Sequence, residues 1–371
     1  MKITGIVTRL LKVDASSRYA NGHIPAGRPR HWHFPLITLK TDEGVEGHSM
    51  AYGPHGDGRG LADLARDSYF PQIKDLDPEN GEAIWQKLYK RQRHLYNQTD
   101  TMLGVIDVAV WDIRGKIAGR PIAALLGKYR EEVPAYMSAK SEFYTETEVA
   151  IEAAEAKARG FYGYKLQLRD GAEKDIPRLR AAREAVGKDF RLMQDPNSSY
   201  DLTTAITVGR TLDELHYHWY EEPLPETQVG HYRRLAATLK TPILATETSS
   251  LGEMAGFLKQ EALTIARGDV LIKGGITGLK KAMSMCELFG YNLEIHTANT
   301  PLLDVANLHV AASCANTSMM EVHHPAFRFA LKKHPFNVER GGLIKAPSAP
   351  GLGVELDWAW IDAHTENVRE S

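Results

Sequence analysis

Cysteine is scarce in this chain: its 371 residues include two, Cys286 and Cys314. Both fall in helical patterns with no export signal ahead of them, which argues against a disulfide framework and for buried structural thiols. Long apolar runs are missing too. No stretch approaches the roughly 18 residues of a membrane span, and the N-terminus, MKITGIVTRLLKVDASSRYA, alternates like a strand instead of carrying the apolar core of a signal peptide. A cytoplasmic protein without a membrane partner is the expectation. Charge of either sign is nearly balanced, with a net of −2 and a pI near 6.7, so there is no electrostatic footprint for nucleic acid. What remains is an ordinary globular composition, 43% apolar and 25% charged, over a length that suits a barrel plus something smaller.

Three stretches organise the middle of the chain: MQDPN ending at Asn197, HWYEEP ending at Pro223 and LATET ending at Thr248. Each is a brief apolar run that stops on an acid, giving Asp195, Glu221 and Glu247 at intervals of 26 and 26 residues. One βα unit of a (β/α)8 barrel has about that length, since roughly 200 to 250 residues hold eight of them. The three carboxylates therefore belong at the C-terminal ends of consecutive strands, the active-site face of such a barrel. Three anionic oxygen ligands with room for water suit Mg²⁺.

The flanking segments agree with this phase. Residues 1 to about 50 read as strand, long loop and two strands joined by a hairpin at Asp42-Glu43-Gly44. Helical patterns follow over Asp57 to Phe70, Asn80 to Arg93 and Thr101 to Ala118, the last with Asp107 and Asp112 set among apolar residues. From residue 133 a strand, turn and helix rhythm repeats, with candidate strands Val133–Ala139, Gly163–Leu168, Arg191–Gln194, His216–Tyr220, Ile243–Ala245, Val270–Ile272, Asn292–Ile295 and Met319–Val322. The fold class expected is α/β: a (β/α)8-type barrel over 129–334, an α+β capping domain over 1–128, and a C-terminal segment, 335–371, that returns to the cap.

Further polar residues fall at the strand ends of this phasing. Lys165 and Gln167 lie at i and i+2 and face the same way; Asp269 begins the sixth candidate strand, His296 closes the seventh and Glu321 lies on the eighth. Proton abstraction beside a carboxylate needs such a set, with a metal, a base and donors around an oxyanion. Nearly the whole chain resembles the enolase superfamily, specifically its mandelate racemase-like group. The resemblance rests on the stretch GVIDVAVWDIRGKIAGRPIAALLG, the Asp195, Glu221 and Glu247 series with its EEP, the Asp269 and His296 pair, and the closing PGLGVELD. It implies Asp195, Glu221 and Glu247 as Mg²⁺ ligands, His296 as general base oriented by Asp269, and Glu321 as an acid bonded to the substrate carboxylate. Asn197, and Arg18 and Tyr19 in the loop from Ala15 to Trp32, become candidate substrate contacts, and a homo-oligomer between dimer and octamer is implied.

One departure weighs against a two-base reaction. Where the racemase pattern carries Lys-x-Lys, this chain has Lys165-Leu166-Gln167, and an amide cannot take the proton. Gln167 is thus a substrate contact, and Lys165, without a like-charged neighbour, is expected to stay protonated unless burial lowers its pKa, as a fixed cation first and a base or acid second. The activity implied is a Mg²⁺-dependent lyase that dehydrates an acid sugar to a 2-keto-3-deoxy acid. Racemisation or epimerisation, cycloisomerisation of a lactone or anhydro-sugar acid, and non-catalytic binding are the alternatives. His216-Tyr217-His218 imitates the His-x-His metal site of amidohydrolase barrels, but it opens a strand on the opposite face of the barrel.

Overall fold

The structure, a computed structural model, describes residues 1–16, 29–53, 57–91, 100–138, 144–322, 328–338 and 341–371. Arg18 and Tyr19 lie outside the described residues. In the N-terminal part, β1 (Ile3–Asp14) pairs antiparallel with β2 (His31–Thr41), which turns back into β3 (Glu46–Met50). The hairpin falls where Asp42-Glu43-Gly44 places it, and Gly44 takes φ +79°, a left-handed conformation that costs glycine no Cβ clash.

Eight parallel strands follow: β4 (Glu132–Ser138), β5 (Gly163–Leu166), β6 (Arg191–Gln194), β7 (Trp219–Glu221), β8 (Ile243–Ala245), β9 (Ile265–Gly268), β10 (Asn292–Ile295) and β11 (Met320–Val322). β11 returns beside β4 and closes the barrel. An α-helix intervenes between each strand and the next, whereas β11 runs into the tail. The tail lays β12 (Leu343–Lys345) antiparallel on β4 and β13 (Thr365–Glu370) on the free side of β1, so the chain's end does rejoin the first sheet.

The sixth barrel strand differs from its expected position. Val270–Ile272 is a turn, because Asp269 Oδ1 accepts the N–H groups of Leu271 (2.6 Å) and Ile272 (2.9 Å) while Val270 N–H donates to Asn307 Oδ1 (2.9 Å). With those donors committed, the ladder is built by Ile265–Gly268, and Asp269 follows the strand instead of beginning it.

Side chains inside the barrel stack in layers. Tyr136, Met193, Trp219, Leu244 and Met319 form an apolar floor. Two residues further along three of the same strands, on the same face, stand Asp195, Glu221 and Glu321, and Lys165 and Arg267 complete this buried charged layer.

The helix Thr101–Ile117 fastens the first sheet to the barrel. Asp107 accepts the N–H (2.9 Å) and hydroxyl (2.7 Å) of Thr277 in the first turn of the helix Gly275–Leu288, capping that helix from outside its own chain segment. Asp112 accepts the N–H groups of His48 (2.9 Å) and Leu352 (2.8 Å) and the ammonium of Lys116 (2.7 Å). A Cβ on Gly104 would lie 2.3 Å from the Val270 carbonyl oxygen, so the absent side chain is what lets this helix press on the turn after Asp269. Asp112→Ala leaves two backbone donors and a lysine without their acceptor and is expected to cost about 3 kcal/mol or more, read as a lowered urea midpoint.

Candidate active site

The C-terminal ends of the strands surround a cleft of about 380 Å³ whose walls include Gln167, Asp195, Asn197, Glu247, Asp269, His296 and Glu321, enough room for a small organic acid. Tyr52, just past β3, also lines it and stacks on Phe34 with centroids 6.0 Å apart, so the first sheet contributes a wall.

His296 lies directly after β10 and its Nδ1 is 2.6 Å from Asp269 Oδ2. Since the carboxylate accepts, Nδ1 donates to Asp269, which leaves Nε2 as the nitrogen that loses or gains the proton when the ring titrates. Asp269 is itself fixed by the two turn N–H groups on its other oxygen, so the capping role and the histidine-orienting role coexist in one residue. Nε2 lies 3.6 Å from Glu247 Oε1. Burial alone lowers the imidazole pKa, but the carboxylates of Glu247 and Asp269 more than reverse this and raise it to about 9.

Lys165 Nζ sits 2.7 Å from Glu221 Oε1, 3.0 Å from Glu321 Oε1 and 3.2 Å from Asp195 Oδ2. Burial opposes its charge, yet Glu221, Glu321 and Asp195 hold its pKa well above the ordinary lysine value. The expected absence of a like-charged neighbour is overturned: Arg267, fully buried on β9, places Nη2 3.1 Å from the same Glu221 oxygen and 2.5 Å from Glu321 Oε2. The acids outnumber the two cations, which is why lysine stays charged beside arginine. Sequence reasoning missed Arg267. With the strand begun at Val270 it fell outside the barrel, whereas the true register puts Arg267 and Asp269 at i and i+2 on one face.

Gln167 Nε2 lies 3.5 Å from Asp195 Oδ2, and Asn197 donates to Asp195 Oδ1 through Nδ2 (2.7 Å) and its backbone N–H (2.8 Å). Both line the cleft, and both donate to Asp195, the acid beside them. His216 and His218 sit before β7 at the other end of the barrel; His218 N–H donates to the Leu192 carbonyl, and burial pushes its pKa down to about 4.

Among the described residues no group of three His, Cys, Asp or Glu side chains stands ready as a metal cage. The oxygens of Asp195 and Glu221 converge instead on the ammonium of Lys165, and Glu221 Oε2 accepts the Trp219 indole N–H at 3.0 Å. The donor chemistry nevertheless fits a hard divalent cation. Glu247 carries the argument: its nearest cationic nitrogens are 3.6 and 3.9 Å away, and burial pushes its pKa up to about 7, more than His296 and Arg267 offset. Glu222, buried against Glu247 and Glu226, is raised well above the carboxylate range for the same reasons. Lys273, buried behind this wall, directs its ammonium to the backbone carbonyls of Thr246, Glu247 and Ser249. Backbone conformations are also unusual there, with positive φ at Asn197, Ser198, Glu222, Thr246 and Asn299; such strain in non-glycine residues gathers at functional sites.

Comparison with known proteins agrees with this architecture. Residues 19–127 match the mandelate racemase/muconate lactonizing enzyme N-terminal domain, and residues 148–360 match the enolase C-terminal domain-like family. The chain is 31% identical to a D-galactarolactone cycloisomerase of Agrobacterium fabrum, over 99% of this chain and 98% of that one. It is also 31% identical to an arabinonate dehydratase of Saccharolobus solfataricus, over 86% and 87%. A solved D-glucarate dehydratase from Agrobacterium tumefaciens, complexed with magnesium, superposes with a TM-score of 0.86 at 29% identity, covering 99% of this chain and 100% of the other. With both family domains matched across most of its length, the chain belongs to the mandelate racemase/muconate lactonizing enzyme family of the enolase superfamily.

Proposed function

We propose that the protein abstracts the proton α to a carboxylate and dehydrates an acid sugar, an aldonate or aldarate, to a 2-keto-3-deoxy acid. The observation that carries this reading is one-sided basicity. His296 Nε2 faces the cleft with Nδ1 tied to Asp269, while the second strand offers an amide, Gln167, and a lysine locked among three carboxylates. A single base suits elimination or ring opening; inversion at C2 needs acids on both faces.

In this mechanism the carboxylate end of the substrate sits beside Asp195, Lys165 and Glu321. Asp195, Glu221 and Glu247 would hold Mg²⁺, which when bound would supply Lewis acidity beside the substrate carboxylate. His296 Nε2 removes the C2 proton, and Asp269 stabilises the imidazolium that results. Lys165 is a fixed cation for the developing oxyanion. The arrangement of Glu321, both of whose oxygens accept from cations, supports it as the holder of Lys165 and Arg267 more than as a proton donor. Protonated His296 can then give its proton to the departing 3-hydroxyl, and the enol tautomerises to the 2-keto acid.

Ring opening of a sugar-acid lactone is the second reading, favoured by the 31% identity to a cycloisomerase along almost the whole of both chains. It uses the same base and the same intermediate but expels no hydroxide. Incubating the enzyme with Mg²⁺ and panels of aldonates, aldarates and their lactones in D2O separates the two. Dehydration is expected to give a 2-keto-3-deoxy acid with solvent deuterium at C3. Inversion at C2 without loss of water in every substrate turned over would refute it.

A further inference from the structure

The charged layer contains a group that the mechanism above leaves unused. Arg267 is fully buried and reaches four other strands of the barrel. Nη2 serves Glu221 on β7 and Glu321 on β11, while Nη1 donates to the Tyr136 hydroxyl (2.9 Å) and the Ile295 carbonyl (3.2 Å). Its Nε has no hydrogen-bond partner and lies 3.9 Å from Glu247 Oε2. Two of the three carboxylates assigned to the metal are therefore within 4 Å of one guanidinium. Glu221 Oε1 is shared between that guanidinium and the ammonium of Lys165, an arrangement that leaves this oxygen no further cation to accept without loosening one of the two.

We infer that Arg267 is a positioning residue, the internal counter-ion of the acid layer, which holds Glu221 and Glu321 in place before a divalent cation arrives and competes with that cation for Glu221 and Glu247. The inference rests on the reading that Asp195, Glu221 and Glu247 bind the metal. Physically, a unit charge fixed a few ångströms from the metal position opposes a second cation through a medium that screens less than water. It also places on the sixth strand a second positive charge beside Lys165, where Gln167 on the second supplies none.

The test is Mn²⁺ binding without substrate, followed by electron paramagnetic resonance of free Mn²⁺, in wild type, R267M, R267Q and R267K, together with thermal unfolding in chelator and in excess Mg²⁺. R267M is expected to bind Mn²⁺ about tenfold or more tightly than wild type. It is also expected to lose stability in chelator and to regain more of it with Mg²⁺ than wild type does, because stabilisation by a ligand grows with affinity for the folded state. R267Q removes the charge while keeping an amide donor, and carries the same expectation should R267M not fold. R267K, which retains the charge, is expected to stay near wild type. Unchanged or weaker Mn²⁺ binding in the neutral variants, with wild-type binding intact, overturns the inference. A wild-type protein that binds no Mn²⁺ overturns the metal reading itself, and the inference with it.

Discussion

His296→Asn is expected to lower kcat by about 10² to 10⁴, the usual contribution of a positioned general base, and to abolish exchange of the C2 proton with solvent. Asparagine preserves a donor toward Asp269 Oδ2, so the turn built on Asp269 and its bonds to Leu271 and Ile272 should survive. The variant has no group of useful basicity in place of Nε2. Following the C2 proton by NMR in D2O separates this from a binding defect, since a substrate that still binds but no longer exchanges has lost its base. Exchange at the wild-type rate in His296→Asn would mean that another residue takes the proton, and Lys165 would then have to be that base. Asp269→Asn is a milder lesion on the same axis. It leaves the imidazole in the cleft but removes the carboxylate that selects its tautomer.

Removing the divalent cation is expected to have the larger effect. Excess chelator should abolish turnover, and Glu247→Ala should lower kcat by at least about 10³, because several kcal/mol of charge stabilisation disappear and each 1.36 kcal/mol is a factor of ten. The three assigned ligands do not make equally clean variants. Glu221 anchors Lys165, Arg267 and the Trp219 indole, so Glu221→Ala strips buried cations of their partner and is expected to destabilise by roughly 3 to 5 kcal/mol as well. Asp195 holds the turn through Asn197. The Glu247 carboxylate lies 3.6 and 3.9 Å from the nitrogens of His296 and Arg267, and its loss should leave the melting temperature in chelator close to that of the wild type. Full activity of Glu247→Ala, or of wild type in chelator, sinks the metal assignment.

Much of this site is readable from the chain because barrel strands follow one another in sequence and their ends recur at nearly constant spacing. Asp195, Glu221 and Glu247 stand out for that reason, and so does His296 once the series is extended. The same regularity could have corrected the sixth strand: the step from Glu247 to Asp269 is 22 residues and that from Asp269 to His296 is 27, which places Asp269 at a strand's end. The apolar run Val-Leu-Ile after it attracted the assignment because hydrophobicity does not distinguish a short buried strand from a buried turn. The inward tilt of Glu221 onto Lys165 and Arg267 was not legible, since it depends on charges contributed by strands far apart in the chain. Nor was the place of Tyr52 in the cleft wall, which depends on how the first sheet docks. Arg18 and Tyr19, expected at the substrate from the family resemblance of their loop, lie outside the described residues.

The helix Thr101–Ile117 bears on how this family could be recombined in the laboratory. It follows the first sheet in the chain, yet Gly104 meets the carbonyl of Val270, Asp107 closes the start of the helix that follows the His296-orienting turn, and Asp112 grips both His48 and Leu352. Exchanging specificity segments between relatives by cutting after Ile117 would carry those three fittings away from the partners they were shaped for. A seam before Thr101 keeps the fittings at Val270, Thr277 and Leu352 with their own barrel and leaves the bonds from His48 to Asp112, from Lys116 to the Glu46 carbonyl and from Trp85 to the Gly274 carbonyl to be matched.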